Sequence, residues 1–174
     1  TDYCDYTAIP DANFEAELNA LGYDDIPGDR QVPTDLIAGV TVLDVGSESI
    51  EDITGIEAFT SLVELDVHNN SFSSIDVSSL TNLEVLDLDG CPITSLDLSN
   101  NSKLRFLDVE DGGNLATLDF SHNLLIEYIN ANDNMLSSIT LGNLTNLQQL
   151  FLSNNNLSTL DLSTLSTLFS FRAR

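Results

Sequence analysis

The chain's 174 residues include 28 acidic side chains and only 5 basic ones, a formal net charge of −23. Such a balance repels nucleic acid and anionic membranes and attracts cations or basic surfaces. Apolar residues make up 42%, enough to pack one domain, and no apolar run nears the roughly 18 residues of a membrane helix. Thr1 opens onto polar sequence, a pattern compatible with a mature secreted form whose leader has been removed. Two cysteines, Cys4 and Cys91, set no redox compartment by count.

Residues 1–39 carry no repeat. The stretch after Pro10, DANFEAELNALG, predicts a short amphipathic helix. Asp11 is its N-cap, Phe14, Leu18 and Leu21 follow at i, i+4, i+7, and Gly22 is its stop. Gln31 and Val32 then read as a short strand, before a helical turn capped by Thr34 that carries Leu36 and Ile37. Cys4 falls in this segment, where pairing with Cys91 would need close approach.

From Leu62 onward one phrase recurs: LVELDVHNN, then LEVLDLDGC at Leu83, LRFLDVEDG at Leu104, IEYINANDN at Ile126 and LQQLFLSNN at Leu147, at intervals of 21, 21, 22 and 21 residues. A fixed period of this size means a solenoid whose units bury their apolar sides only by stacking. Residues 40–167 hold six units of 21–22 residues, the first and least regular beginning at Val40. A solenoid end exposes apolar core, so residues 1–39 are read as an amphipathic lid over it. LFSFRAR from Leu168 starts a seventh unit, after which no second lid follows. The expectation is that the natural protein continues past Arg174, the alternative being a last coil shielded by a partner or a second copy.

Each unit holds two alternating patterns. In L-x-x-L-x-L, as at Leu83, Leu86 and Leu88, the leucines point inward and the letters between them outward. The other pattern is Ser74-Ile75-Asp76-Val77-Ser78 or Ser95-Leu96-Asp97-Leu98-Ser99. The first predicts a strand of a parallel sheet lining one face; the second predicts a short extended or 3-10 segment on the opposite face. Three residues past the last strand leucine stand Asn70, Asn134 and Asn155, whose amides can satisfy buried turn backbone. Cys91 takes that slot in the third unit and reads as a structural thiol.

These phrases resemble the leucine-rich repeat family, and the 21-residue units with an SLDLS half resemble internalin-like bacterial cell-surface proteins. The opening IPDANFEAEL, with QVPTDLIAGVTVLDV and ITGIEAFTSL, is similar to the lid and first repeat of such proteins from Bacteroidetes-type bacteria. The resemblance covers nearly the whole chain. It implies a secreted or cell-surface module that binds proteins or glycans through its strand face, often within a longer polypeptide. The strict internalin unit is 22 residues and the C-terminal lid is missing here, so no particular internalin receptor transfers.

Aligned unit by unit, the first outward column reads Val42, Glu64, Val85, Phe106, Tyr128, Gln149. The second reads Asp44, Asp66, Asp87, Asp108, Asn130, Phe151, then Arg172 if a seventh strand forms. A third, just past the strand, reads Gly46, His68, Asp89, Glu110, Asn132, Ser153. The aspartates form a ladder of like charges about 4.8 Å apart, repelling by about 0.9 kcal/mol per pair even in water. Because the position faces solvent, the fold is not expected to require Asp there; a cation, a basic partner or repeat duplication would explain it. A second ladder, Asp76, Asp97, Asp119 and Asp161, lies opposite, and some of its members are expected to bond turn amides. Calcium is the one cofactor considered, at Asp87, Asp89, Asp108 and Glu110, although no EF-hand loop is present. Phe106, Tyr128 and Phe151 occupy adjacent strands where folding does not demand aromatics, and they are the stronger binding signal.

Candidate ligand contacts are therefore Phe106, Tyr128, Phe151, Asn130, Asp66, Asp87, Asp108 and His68. Neither His68 nor His122 has a nucleophile beyond a repeat serine. No phosphate loop, C-x-x-C, H-E-x-x-H or nucleophile elbow occurs. The reading is a non-catalytic ligand-binding module for a protein or glycan, a basic partner being favoured by charge. It neither binds nucleic acid nor inserts into membranes, and its open end could self-associate. The alternative is a rigid spacer within a longer chain.

Overall fold

The computed structural model describes residues 5–173 and contains the expected parallel solenoid. Its lid holds β1 (Tyr6–Ala8), α1 (Ala12–Ala20), β2 (Gln31–Pro33) and α2 (Thr34–Ile37). The coils follow with β3 (Val42–Asp44), β4 (Glu64–Asp66), β5 (Val85–Asp87), β6 (Phe106–Asp108), β7 (Thr117–Asp119), β8 (Tyr128–Asn130), β9 (Ser138–Thr140), β10 (Gln149–Phe151) and β11 (Ser170–Arg172). A seven-stranded sheet runs β11-β10-β8-β6-β5-β4-β3, every neighbouring pair parallel. The seventh strand does form.

Alternation holds along the sheet from β3 to β10 because each of those strands is three residues long with its central residue inward, whereas the centre of β11, Phe171, is exposed. Leu43, Leu65, Leu86, Leu107, Ile129 and Leu150 are all essentially inaccessible, and each stacks on the next in register. Burying one such side chain contributes about 1.5–3 kcal/mol, and because neighbours share every contact, the coils stabilise one another in series. The opposite face varies. The first repeat makes a 3-10 turn at Ile56–Ala58, while β7 and β9 pair parallel in the fourth and fifth. No helix among the described residues is long and apolar enough to cross a membrane.

Helix α1 starts as its sequence predicts. Asp11 Oδ1 accepts the Asn13 and Phe14 amides at 2.8 and 3.0 Å, and Gly22 turns the chain at φ +84°. Phe14 and Leu18 are fully buried, with the Phe14 ring stacked 6.4 Å from Phe59 of the first repeat. Leu21 departs from expectation: it is the C-cap and is exposed, because the helix ends before the third apolar position turns inward. Thr34 is likewise not a cap but the first residue of α2. Pro33 precedes it, and the Thr34 hydroxyl bonds Thr7 instead. Strand β1, antiparallel to β2, carries no apolar alternation that would announce it. Cys4 lies outside the described residues.

The asparagine slot behaves as read. Asn70 Oδ1 accepts from Ile50 N at 2.9 Å, and its amide donates to Val45 O and Val67 O, both at 2.9 Å. Asn134 and Asn155 repeat the pattern against Leu115 and Leu136. Cys91, fully buried, replaces the amide with a thiol donating to Val67 O at 3.1 Å, and burial pushes that thiol up to about 11. A buried, protonated thiol is not a nucleophile. The sequence reading missed a second buried ladder on the far side. Asn101 donates to Val77 O and Leu80 O, and Asn123 donates to Leu98 O and Asn101 O, in the slot other units fill with Leu80, Leu144 and Leu165.

Candidate functional site: the strand face

The two outward columns within the strands stand as the register predicts: Asp44↔Asp66↔Asp87↔Asp108↔Asn130↔Phe151↔Arg172 along one line, Val42↔Glu64↔Val85↔Phe106↔Tyr128↔Gln149 along the next. What the sequence did not show is that the aspartates are part of the fold. Each accepts the backbone amide two residues on: Asp44 from Gly46 at 3.1 Å, Asp66 from His68 at 3.1 Å, Asp87 from Asp89 at 3.0 Å and Asp108 from Glu110 at 3.0 Å. The strand ends there, and the carboxylate takes the N–H that the ladder no longer reaches. The expectation that folding makes no use of Asp at this position is therefore corrected.

The opposite ladder does the same. Asp76, Asp97, Asp119 and Asp161 accept from Ser78, Ser99, Ser121 and Ser163. These serine bonds hold all four carboxyls below the ordinary aspartate value. On the strand face the balance reverses. Burial raises Asp87 and Asp108 against their turn bonds, Asp108 reaching about 6, and it raises Asp89 with the neighbouring Asp87, Asp111 and Glu110 carboxylates adding to it. The same turn bond thus accompanies opposite shifts at Asp87 and Asp108 and at the four far-face aspartates, because burial outweighs it only where the carboxylate is part-buried.

At the middle of the face Asp89, Asp108 and Glu110 bring carboxylate oxygens within 4.8 Å of one another; Asp87 is not part of that group. Asn130 stands in the same column but is not an open contact. It is only 5% exposed, and its amide donates to Asp108 Oδ2 at 3.1 Å and Glu110 Oε2 at 2.5 Å. Asn132 adds a bond to the other Glu110 oxygen at 3.2 Å. The reason is chemical: beside two carboxylates, an amide turns its N–H groups onto them instead of to water. Asn130 is a positioning residue within the patch, which corrects its reading as a ligand contact.

Nearer the lid, His68 Nδ1 bonds Asp66 Oδ1 at 2.6 Å and its Nε2 lies 3.2 Å from Ser47 Oγ. The ring lies over Gly46, where any Cβ would come within 2.2 Å of it, so the smallest residue of the third column seats the largest. The bond to Asp66 raises the imidazole above its ordinary value. Beside it, Val42, Val85, Asp44, Glu64, Asp66 and Asp87 line a shallow depression of about 230 Å³. His122 bonds its neighbour Ser121 in an exposed turn.

The aromatic part of the face is more ordered than scattered exposed rings would be. Phe106 and Tyr128 stack with centroids 4.4 Å apart and planes within 6°, and Phe151 tilts at 57° against Tyr128 at 5.8 Å. All three are partly buried. Burial pushes the Tyr128 phenol up to about 12, with Asp108 and Glu110 adding to it.

Models of the leucine-rich repeat match residues 60–101, as two copies, and residues 146–168. No curated protein matches the chain by sequence. Among solved structures, the internalin InlF of Listeria monocytogenes superposes with a TM-score of 0.73 at 24% identity, over 99% of this chain and 60% of that one. Internalin C2 of the same organism gives 0.58 at 19% identity over the full length of both. The functional domain of InlJ, also from Listeria monocytogenes and including a cysteine ladder, gives 0.52 at 23% identity over 98% of this chain and 48% of that one. The chain therefore spans less than two thirds of InlF and of InlJ. The matched segments are leucine-rich repeats, and the chain as a whole shares the fold of these internalins.

Proposed function

We propose that the chain is the ligand-binding module of an exported bacterial surface protein, engaging a protein or glycan through its strand face. The observation that carries this reading is the set of three part-exposed rings, Phe106, Tyr128 and Phe151, held against one another at 4.4 and 5.8 Å beside a carboxylate patch. Inward Leu107, Ile129 and Leu150 already supply the packing of those strands, so the outward rings are surplus to it. Aromatics grouped at a surface centre with polar groups around them have the composition of an interface anchor. Similarity to internalins supports a binding role and a surface location.

The module is read as non-catalytic. Asp66, His68 and Ser47 stand in the bonding order of an acyl-transfer relay, with the imidazole raised by its bond to Asp66. A third of the His68 side chain is open to solvent, far from the dry site in which such a relay works. The bonds serve to pin the His68 ring over Gly46.

One observation favours the spacer reading: every strand-face aspartate from Asp44 to Asp108 holds a turn amide, so their presence alone does not demand a ligand. The two readings separate on a protein and glycan array probed with and without calcium. The double variant Tyr128→Ala/Phe151→Ala is expected to keep a wild-type circular dichroism spectrum and melt cooperatively, while losing more than tenfold of any array affinity. Affinity retained by this variant would overturn the strand-face reading, and a flat array would favour the spacer.

A further inference from the structure

The rings and the acidic depression lie on one face and make different demands on whatever covers them. Phe106 and Tyr128 stack along the direction in which the strands repeat, so their flat faces are turned to each other and their edges to solvent. A sugar ring stacks its C–H groups on an open aromatic face, and this stack has used its inner faces. Ring edges carry the positive end of the quadrupole and accept packing from aliphatic or aromatic side chains without favouring a cation. Cations are drawn instead to the depression, where Val42 and Val85 supply apolar walls and Asp44, Glu64, Asp66 and Asp87 supply carboxylates. An apolar wall with a charged rim suits an amphipathic cation, a lysine or arginine whose stem lies on the valines while its head meets the carboxylates.

Strand β4, at the centre of the depression, and β8, which carries Tyr128, are three strand spacings apart. That is about 14 Å, the span of about four residues of extended polypeptide. Residues i and i+4 of an extended segment project from the same side, so one segment crossing the strands reaches both features. A helix would place the same two residues only about 6 Å apart.

We propose that the ligand of this face is an extended, basic polypeptide segment that sets a Lys or Arg into the Val42–Val85 depression and an apolar side chain about four residues away against Phe106 and Tyr128. This rests on the strand face being the binding surface and narrows its ligand from protein or glycan to a cationic peptide. Charge complementarity supports the choice, because the strand-face columns carry carboxylates from β3 to β6, and the one arginine flanking them, Arg105 beside Phe106, is already paired with Glu127.

A random dodecapeptide phage library selected on the chain at 0.15 M salt tests it, with the enriched peptide then synthesised and measured by fluorescence anisotropy. The proposal expects enrichment of Lys or Arg with a Leu, Phe or Tyr four positions away. It further expects at least a tenfold loss of affinity in Asp44→Asn/Asp87→Asn. That pair removes two charges yet keeps an oxygen for the turn amide, as Asn130 does naturally toward Asn132. Asp97→Asn/Asp119→Asn, on the far face, makes the same change in net charge and should leave affinity within twofold. Equal losses in the two pairs would mean attraction to bulk charge only and would overturn the proposal, as would enriched peptides lacking basic residues. Glycan binding that Tyr128→Ala/Phe151→Ala abolishes, with no peptide selected, overturns the peptide proposal while leaving the strand-face reading standing. No glycan binding and no selected peptide would sink both.

Discussion

Asp11→Ala is expected to destabilise the domain by about 2–4 kcal/mol at pH 7, read from urea or thermal unfolding. The side chain caps α1 through Oδ1, and its Oδ2 accepts the Glu51 and Asp52 amides of the first repeat at 2.9 and 3.2 Å. Loss of the cap costs about 1 kcal/mol, and loss of two charge-assisted bonds between lid and solenoid costs about 1–3 kcal/mol more after solvent exposure is allowed for. Because coils hold one another in series, loosening the lid exposes Phe14, Phe59 and the first coil together. The effect depends on pH in a fixed direction. Burial acts to raise the Asp11 carboxyl, but its four amide bonds outweigh that and lower it. A carboxylate depressed in the folded state contributes stability above its unfolded value, near 4, and that contribution is lost as pH falls through the folded value. The gap between wild type and Asp11→Ala should accordingly be full at pH 6 and narrow below pH 4.

Asp108 has the opposite sign. Burial raises it to about 6 in the folded state, above an unfolded value near 4. Between those values the folded chain holds a proton that the unfolded chain does not, so stability falls as pH rises through the window. Full conversion of the shift would give about 3 kcal/mol; the side chain is only part-buried, and screening leaves about 1–2 kcal/mol. Asp108→Asn removes this dependence. It also sets an amide against the Asn130 amide that now donates to Asp108, a cost that does not vary with pH. The stability of the variant relative to wild type should therefore drop by about 1–2 kcal/mol between pH 7.5 and pH 4.5. Parallel curves would show that Asp108 titrates in the ordinary carboxylate range.

These two aspartates also mark how far the sequence could be read. The repeat period placed the strands to the residue, because a central leucine every 21 or 22 positions tolerates no slip in a period-2 element. Asp11 was legible as a cap, since that role needs only its own helix; its hold on Glu51 and Asp52 required knowing that the first repeat folds against α1. The strand-face aspartates were legible as outward and misjudged as dispensable. Their bond runs to an amide two residues on, and the same D-x-S spacing in the opposite half was the signal that could have exposed it.

Asn101 and Asn123 escaped for a related reason. Their slot alternates with Leu80, Leu144 and Leu165, and a polar residue in an apolar column reads as surface until the neighbouring coil's carbonyls are seen beside it. Each leaves its own Oδ1 without a partner in the core, a local cost set against two donated bonds. At the candidate site, Phe106, Tyr128 and Phe151 were found from register alone. Which way their rings turn depends on contacts between coils, and so does the burial of Asn130.

The claim that function resides on the strand face is met most directly by oxidative footprinting of the chain with and without saturating amounts of the selected peptide. Protection is expected at Phe106, Tyr128 and Phe151, while Met135, Leu124 and Leu125, exposed outside the strand-face columns, keep their free rates of oxidation. Protection of Met135, Leu124 and Leu125 with the three rings unchanged would contradict the account.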